Sequence, residues 1–125
     1  MPTPKIFESE YRFMLILWEN EQLPAAALAA ICKDRLGWSR TTTYTVIKRL
    51  SERGVVQNEN GAVSSLVSKN EAQAAEIDEL VEKTFEGSLP AFIAAFAHHR
   101  KLSEDERAEL LRLIDGDDES KGGSL

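Results

Sequence analysis

Apolar residues recur at helical spacing along most of the chain. Tyr11, Met14, Leu15 and Trp18 fall at i, i+3, i+4 and i+7, one face of a helix. Ser9 is a good N-cap and Glu10 suits the positive end of the dipole, so a first helix is predicted to start there. Residues 1–6 read as a short mobile arm. Glu19 to Gln22 interrupts the apolar pattern, and Pro24 suits the first turn of a second helix. Its face is Leu28, Ile31, Cys32 and Leu36, and Gly37 ends it. Ser39 caps a third helix with Thr43, Val46, Ile47 and Leu50 inward, and Gly54 ends that one. Two β-prone runs follow, Val55 to Asn58 and Ala62 to Val67, joined through Asn60-Gly61, a strong hairpin signal.

The second half is predicted to be all helical. Ser68 with Glu71 and Ser103 with Glu106 have capping-box spacing. The first opens a helix with Ile77, Leu80, Val81, Thr84 and Phe85 on one face, stopped by Gly87. Ser88 caps the next, with Pro90 in its first turn and Phe92, Ile93 and Phe96 as its bulky apolar residues. The last carries Leu110, Leu111, Leu113 and Ile114. Each of the three is too short to be stable alone in water, and no fourth element is available to cover them. A homodimer through residues 69–114 satisfies them, with Ile77, Leu80, Val81, Phe85, Phe92, Phe96, Leu110, Leu111 and Ile114 as the interface. The fold class expected is mainly α. Residues 7–68 form a winged helix-turn-helix, 69–114 a helical dimerisation region, and 115–125 a disordered acidic tail.

Charge sharpens this division. The 125 residues carry a net charge of −6. Residues 1–68 hold eight basic and seven acidic side chains, residues 69–125 seven and fourteen, so the acidity lies in the second half. Between Ser39 and Arg53 stand four basic residues and one acidic, Glu52. The outward side of that helix presents Arg40, Thr41, Tyr44, Thr45 and Lys48. The composition is globular, and no apolar run approaches the ~20 residues that cross a bilayer. No signal-peptide core follows Met1. A cytoplasmic protein without membrane insertion is expected.

The ordered set of Glu10 through Glu19, Gly37-Trp38-Ser39, Thr42, Thr45, Arg49-Leu50, Leu66 to Glu71, Gly87-Ser88-Leu89 and Lys101 to Glu106 resembles the penicillinase-repressor family (BlaI/MecI/CopY type). The resemblance runs from about residue 7 to 114. It implies a dimeric winged-helix repressor of a palindromic double-stranded operator. It also implies a membrane sensor metalloprotease whose cut in the C-terminal region weakens the dimer and releases DNA. This sequence departs from the family at four points. Thr41 stands where a basic residue is frequent, and no Lys or Arg occurs from Gly54 to Ser68. Ala95-Phe96 aligns with an Asn-Phe cleavage pair, so the aromatic is kept and the Asn is not. The tail lacks the cysteine cluster of the copper-sensing branch.

Helix 40–53 has two readings. One is a recognition helix in the major groove, with Arg40 on a guanine edge, Thr41 or Thr42 on a base or phosphate, and Tyr44, Thr45 and Lys48 on the backbone. Arg49 either bonds a phosphate or buttresses the fold. The other reading is a solvated helix face. The hairpin after it, the helix-turn-helix before it and the resemblance favour DNA. His98-His99 diverge by about 100° on a helix and do not chelate together; they are solvated, interfacial or pH-sensitive. Cys32 is core or a redox switch, and as the single cysteine it supports neither a disulfide nor a zinc site. No cofactor, metal or catalytic motif is expected. Two rivals remain: a winged-helix regulator controlled by a small molecule near Phe92 and Phe96, and a protein-interaction adaptor that does not bind DNA.

Overall fold

The computed structural model describes residues 3–116. The elements in order are α1 (Glu8–Glu19), β1 (Leu23–Pro24), α2 (Ala25–Leu36), α3 (Arg40–Glu52), β2 (Val56–Glu59), β3 (Ala62–Ser65), α4 (Lys69–Phe85), α5 (Leu89–His99) and α6 (Glu104–Asp115). They fall into two units, one up to Glu79 and one from Leu80.

In the first unit, three helices pack against a small antiparallel sheet of order β1-β3-β2. Asn60 and Gly61 both take positive φ, 55° and 86°, the backbone that a two-residue hairpin turn needs to match strand twist. That turn sets Asn58 opposite Val63 and Glu59 opposite Ala62. β1 pairs Leu23 with Val63 and Pro24 with Ala62. Pro24 lacks an N–H and is tolerated because β1 is an edge strand. β1 was not expected, since two residues carry no alternation to read. Pro24 is the N-cap of α2, one residue earlier than expected.

The core joins Phe13, Met14 and Leu17 of α1, Leu28 and Cys32 of α2, Val46, Ile47 and Leu50 of α3, and Val56 and Val63 of the hairpin. Each large side chain buried here contributes about 1.5–3 kcal/mol. The inward face predicted for α3 is all buried, as are Leu28 and Cys32. Ser39 Oγ accepts the Thr42 N–H, and Gly37 ends α2 in the left-handed conformation.

Three expectations are corrected. α1 begins at Glu8, not after Ser9, because the Glu10 carboxylate reaches back to accept the Phe7 N–H at 2.9 Å. Its buried face is Phe13, Met14, Ile16 and Leu17, whereas Leu15 is 42% exposed and Tyr11 and Trp18 are half-buried. Packing between other elements buries a wider arc than one i, i+3, i+4 stripe. Nor is the segment before α1 a free arm: Ile6 is buried in the core, and Lys5 Nζ bonds Glu79 at 2.8 Å. Trp18 Nε1 donates to Val67 O at 2.9 Å and its ring meets Tyr11 edge-on at 5.6 Å. Ser68 and Glu71 form the expected capping box, with each N–H donated to the other's side chain at 2.8 and 3.0 Å.

The second unit takes in the end of α4 with α5 and α6. Ser88 and Ser103 cap their helices, the latter in a box with Glu106. Phe85 and Phe92 meet edge to face at 5.5 Å. Neither α5 nor α6 has a buried residue. α6 continues to Asp115 and closes on Gly116, so the tail does not begin at 115; the rest of that expectation, residues 117–125, lies outside the described residues. No helix among the described residues is long and apolar enough to cross a membrane.

Candidate nucleic-acid interface

α3 turns four residues inward and the rest outward. Thr43, Val46, Ile47 and Leu50 are buried, whereas Arg40, Thr41, Thr42, Tyr44, Thr45, Lys48 and Arg49 are all exposed. At about 100° per residue, Thr41, Thr45 and Lys48 share the centre of the outer face. Arg40 and Tyr44 occupy one flank, and Thr42 and Arg49 the other. The seven residues therefore form one continuous surface along α3.

These side chains are not equally available. No ion pair among the described residues involves Arg40, Lys48 or Arg49, so three positive charges stand without a carboxylate. Arg40 Nε donates to Tyr44 Oη at 3.0 Å, and the guanidinium carbon lies 5.5 Å from the Tyr44 ring centroid. Thr42 is engaged in the cap: Ser39 Oγ donates to its hydroxyl at 3.0 Å. The N–H groups of Arg40 and Thr41 open the helix and add to its positive end. Arg53, the fourth cation of the basic stretch, turns back into the fold, where it pairs with Glu10 and donates from Nε to Lys5 O at 3.2 Å.

The neighbours of α3 add little charge. The only charged residue in the hairpin is Glu59, which accepts from Gln57 Nε2 at 3.0 Å. Arg35 of α2 is neutralised by Glu19 at 2.9 Å. Lys33 is different. It lines a groove of about 410 Å³ with Ala26, Ala29, Ala30, Ser39 and Arg40, has no ion pair among the described residues, and stands beside the start of α3. Lys33 was not among the residues expected at this surface. The alanines Ala26, Ala29 and Ala30, which leave α2 a low surface beside it, were the available signal.

Beneath this surface, burial pushes the Cys32 thiol up and the Thr43 hydroxyl only partly offsets that. A buried thiol with a raised pKa is a packing residue and a poor nucleophile. Thr43 Oγ1 is buried without a hydrogen-bond partner of good geometry, and its contact with the Cys32 sulfur is weak.

The residues expected at a dimer interface are unequal too. Ile77, Leu80, Phe96, Leu110, Leu111 and Ile114 are exposed, the last at 68%; Phe85 and Phe92 are half-buried, and Val81 is already buried within a single chain. Ala95 and Phe96 lie inside α5, and His98 and His99 are exposed at its end. No group of three or more His, Cys, Asp or Glu among the described residues is placed to hold a metal ion.

The chain is similar to known regulators. The methicillin resistance regulatory protein MecI of Staphylococcus aureus (strain Mu50) is 25% identical over 116 residues, covering 90% of this chain and 94% of that protein. MecI of Mammaliicoccus sciuri is 24% identical with the same coverage. Among solved structures, a MarR/EmrR family transcriptional regulator from Acinetobacter sp. ADP1 aligns with a TM-score of 0.45 and 15% identity, over 95% of this chain and 76% of that one. The family model described as penicillinase repressor matches residues 6–116, nearly the whole chain, and the chain therefore belongs to the penicillinase repressor family.

Proposed function

We propose that this chain is a homodimeric transcriptional repressor that lays α3 in the major groove of a palindromic operator. Residues 7–68 serve as the DNA-binding domain and 69–114 as the dimerisation region. The observation that carries the reading is the outer face of α3: Arg40, Lys48 and Arg49, with no ion pair among the described residues, are interleaved with hydroxyls on an exposed ridge. Arg40 and Thr41 lead into the groove, while Thr45, Lys48 and Arg49 meet phosphates.

Dimerisation supplies what one domain lacks. A near-neutral domain with a wing that has no cation neutralises few phosphates, and two domains on one palindrome double that number. The second half-site then binds at high effective concentration. Half-sites about 34–36 Å apart, or a multiple, match two such helices. α5 and α6 favour the dimer, because Leu89, Ile93, Phe96, Leu110, Leu111, Leu113 and Ile114 are all exposed in the single chain.

Splitting the dimer releases the operator without touching α3, and this is the step on which a signal acts. A cut at Ala95-Phe96 by a sensor metalloprotease is one such signal. The bond is helical and has to unwind first, which costs little in a helix with no buried residue and more once a partner covers it.

Fluorescence anisotropy with the palindrome upstream of the gene tests the reading, with a random duplex and Arg40→Ala as controls. Specific binding of one dimer, steep in salt and weakened by Arg40→Ala, is the expected result. No binding to any duplex at low salt overturns it and favours the protein-interaction adaptor.

A further inference from the structure

Arg40 is the first residue of α3 and Tyr44 lies one turn on. Arginine has five N–H donors and no acceptor. One of them, Nε–H, is donated to Tyr44 Oη at 3.0 Å, while the guanidinium carbon sits 5.5 Å from the ring centroid. The phenol therefore holds the Nε edge and leaves the two Nη groups at the far end unused. No carboxylate among the described residues pairs with them. Two parallel N–H groups at the end of a planar fork match the O6 and N7 acceptors of guanine. An unrestrained arginine on an exposed helix end samples many rotamers and loses that freedom on binding. Here the bond to Tyr44 Oη already restricts those rotamers in the free protein.

We propose that Tyr44 is a positioning residue that presets Arg40 to read a guanine, rather than a backbone contact in its own right. The inference rests on the DNA-binding reading of α3. Both partners of the bond belong to α3, so it does not depend on a phosphate being present. Lys at position 40 would lack both the fork and the Nε edge, so the pair is specific to arginine.

Selection of the wild-type protein against a random duplex library, followed by binding to the best selected duplex and to a random duplex, tests this. Four proteins are compared: wild type, Arg40→Ala, Tyr44→Phe and the double variant. Arg40→Ala is expected to weaken the selected duplex about 10- to 100-fold and to erase the preference at one G·C pair per half-site. Tyr44→Phe keeps the ring but not the acceptor. It is expected to cost about 3- to 10-fold on the selected duplex, leave the random duplex unchanged, and be silent in the Arg40→Ala background. Additive losses, or equal losses on the random duplex, mean that Tyr44 meets the backbone itself and overturn the proposal. So does a selected motif with no guanine that depends on Arg40. If the wild type selects a motif and Tyr44→Phe binds it equally well, this inference fails alone. If the wild type binds no duplex even at low salt, the repressor reading fails with it.

Discussion

Glu10, in the first turn of α1, pairs with Arg53, the residue that closes α3, across 43 positions of sequence. Glu10 is buried, and its carboxylate also accepts the Phe7 N–H. Arg53 reaches Lys5 O and stacks over Phe7, its guanidinium carbon 5.1 Å from the ring centroid. One carboxylate thus caps α1, ties down the segment before it and fixes the far end of the candidate recognition helix. Replacing it by Gln keeps the shape but removes the charge opposite Arg53. Glu10→Ala is expected to destabilise the protein by about 2–4 kcal/mol, with Glu10→Gln intermediate. Denaturant unfolding measures this, and a loss under about 0.5 kcal/mol for Glu10→Ala would show that the pair does not hold the fold.

Thr43 gives a prediction of the opposite sign. Its hydroxyl is buried with no oxygen or nitrogen partner. Valine has the same shape without the polar group. Thr43→Val is expected to be neutral or stabilising by up to about 1 kcal/mol, with DNA affinity kept because the residue faces inward. A clear loss of stability would mean that the contact with the Cys32 thiol is worth more than its chemistry suggests.

Lys48 offers a charge and no geometry. Lys48→Ala is expected to weaken specific and random duplexes by similar factors and to lower the slope of log K against log salt by about 1. A loss confined to one base pair of the site, with the slope unchanged, would move Lys48 from the backbone to a base edge.

The apolar side chains of α6 test the dimer. Leu111 is half exposed and Ile114 more so. Each stands on a helix with a capping box and a glycine stop, so its fold is local. Leu111→Glu is expected to convert the dimer to a monomer in sedimentation experiments while the helical circular dichroism persists. Operator affinity falls with it although α3 is untouched. A variant that remains dimeric would remove this face of α6 from the interface.

Acid acts on the start of α4. The Glu71 carboxyl is held below its ordinary value of 4.5 by the Ser68 N–H first and the Ser68 hydroxyl second. A depressed carboxyl stabilises the folded chain above its unfolded value, and that stability is lost as pH falls through the lower folded value. The Ser68 amide resonance is expected to shift, and the first turn of α4 to fray, only below pH 4.5, with Glu71→Gln abolishing the dependence. Fraying that sets in at neutral pH would point to another group.

Features governed by residues three or four apart are legible in the sequence. Ser39, Ser68, Ser88 and Ser103 cap helices where their spacing predicts, and Asn60-Gly61 turns the hairpin. The inward stripe of α3 is legible for the same reason: a short amphipathic helix shows its buried face as a period. The surface of the candidate site follows from that stripe, since whatever is not inward is available. What each surface residue does is not legible. Arg53 is taken by a carboxylate on α1, and Lys33 comes from another helix. A basic stretch read in sequence does not distinguish a free cation from a paired one.

The order of the elements, most of their ends and the inward face of α3 are thus written in short stretches of chain, because caps, turns and periodicity act over one or two helical turns. Other outcomes are settled only by packing. α1 is turned toward Phe13 and Leu17, Ile6 joins the core, and a two-residue strand completes the sheet. Packing also settles that Arg53 is the arginine spent on the fold. These depend on burial and on how side chains settle around it, and the Glu10–Arg53 partners meet only when the chain has closed on itself.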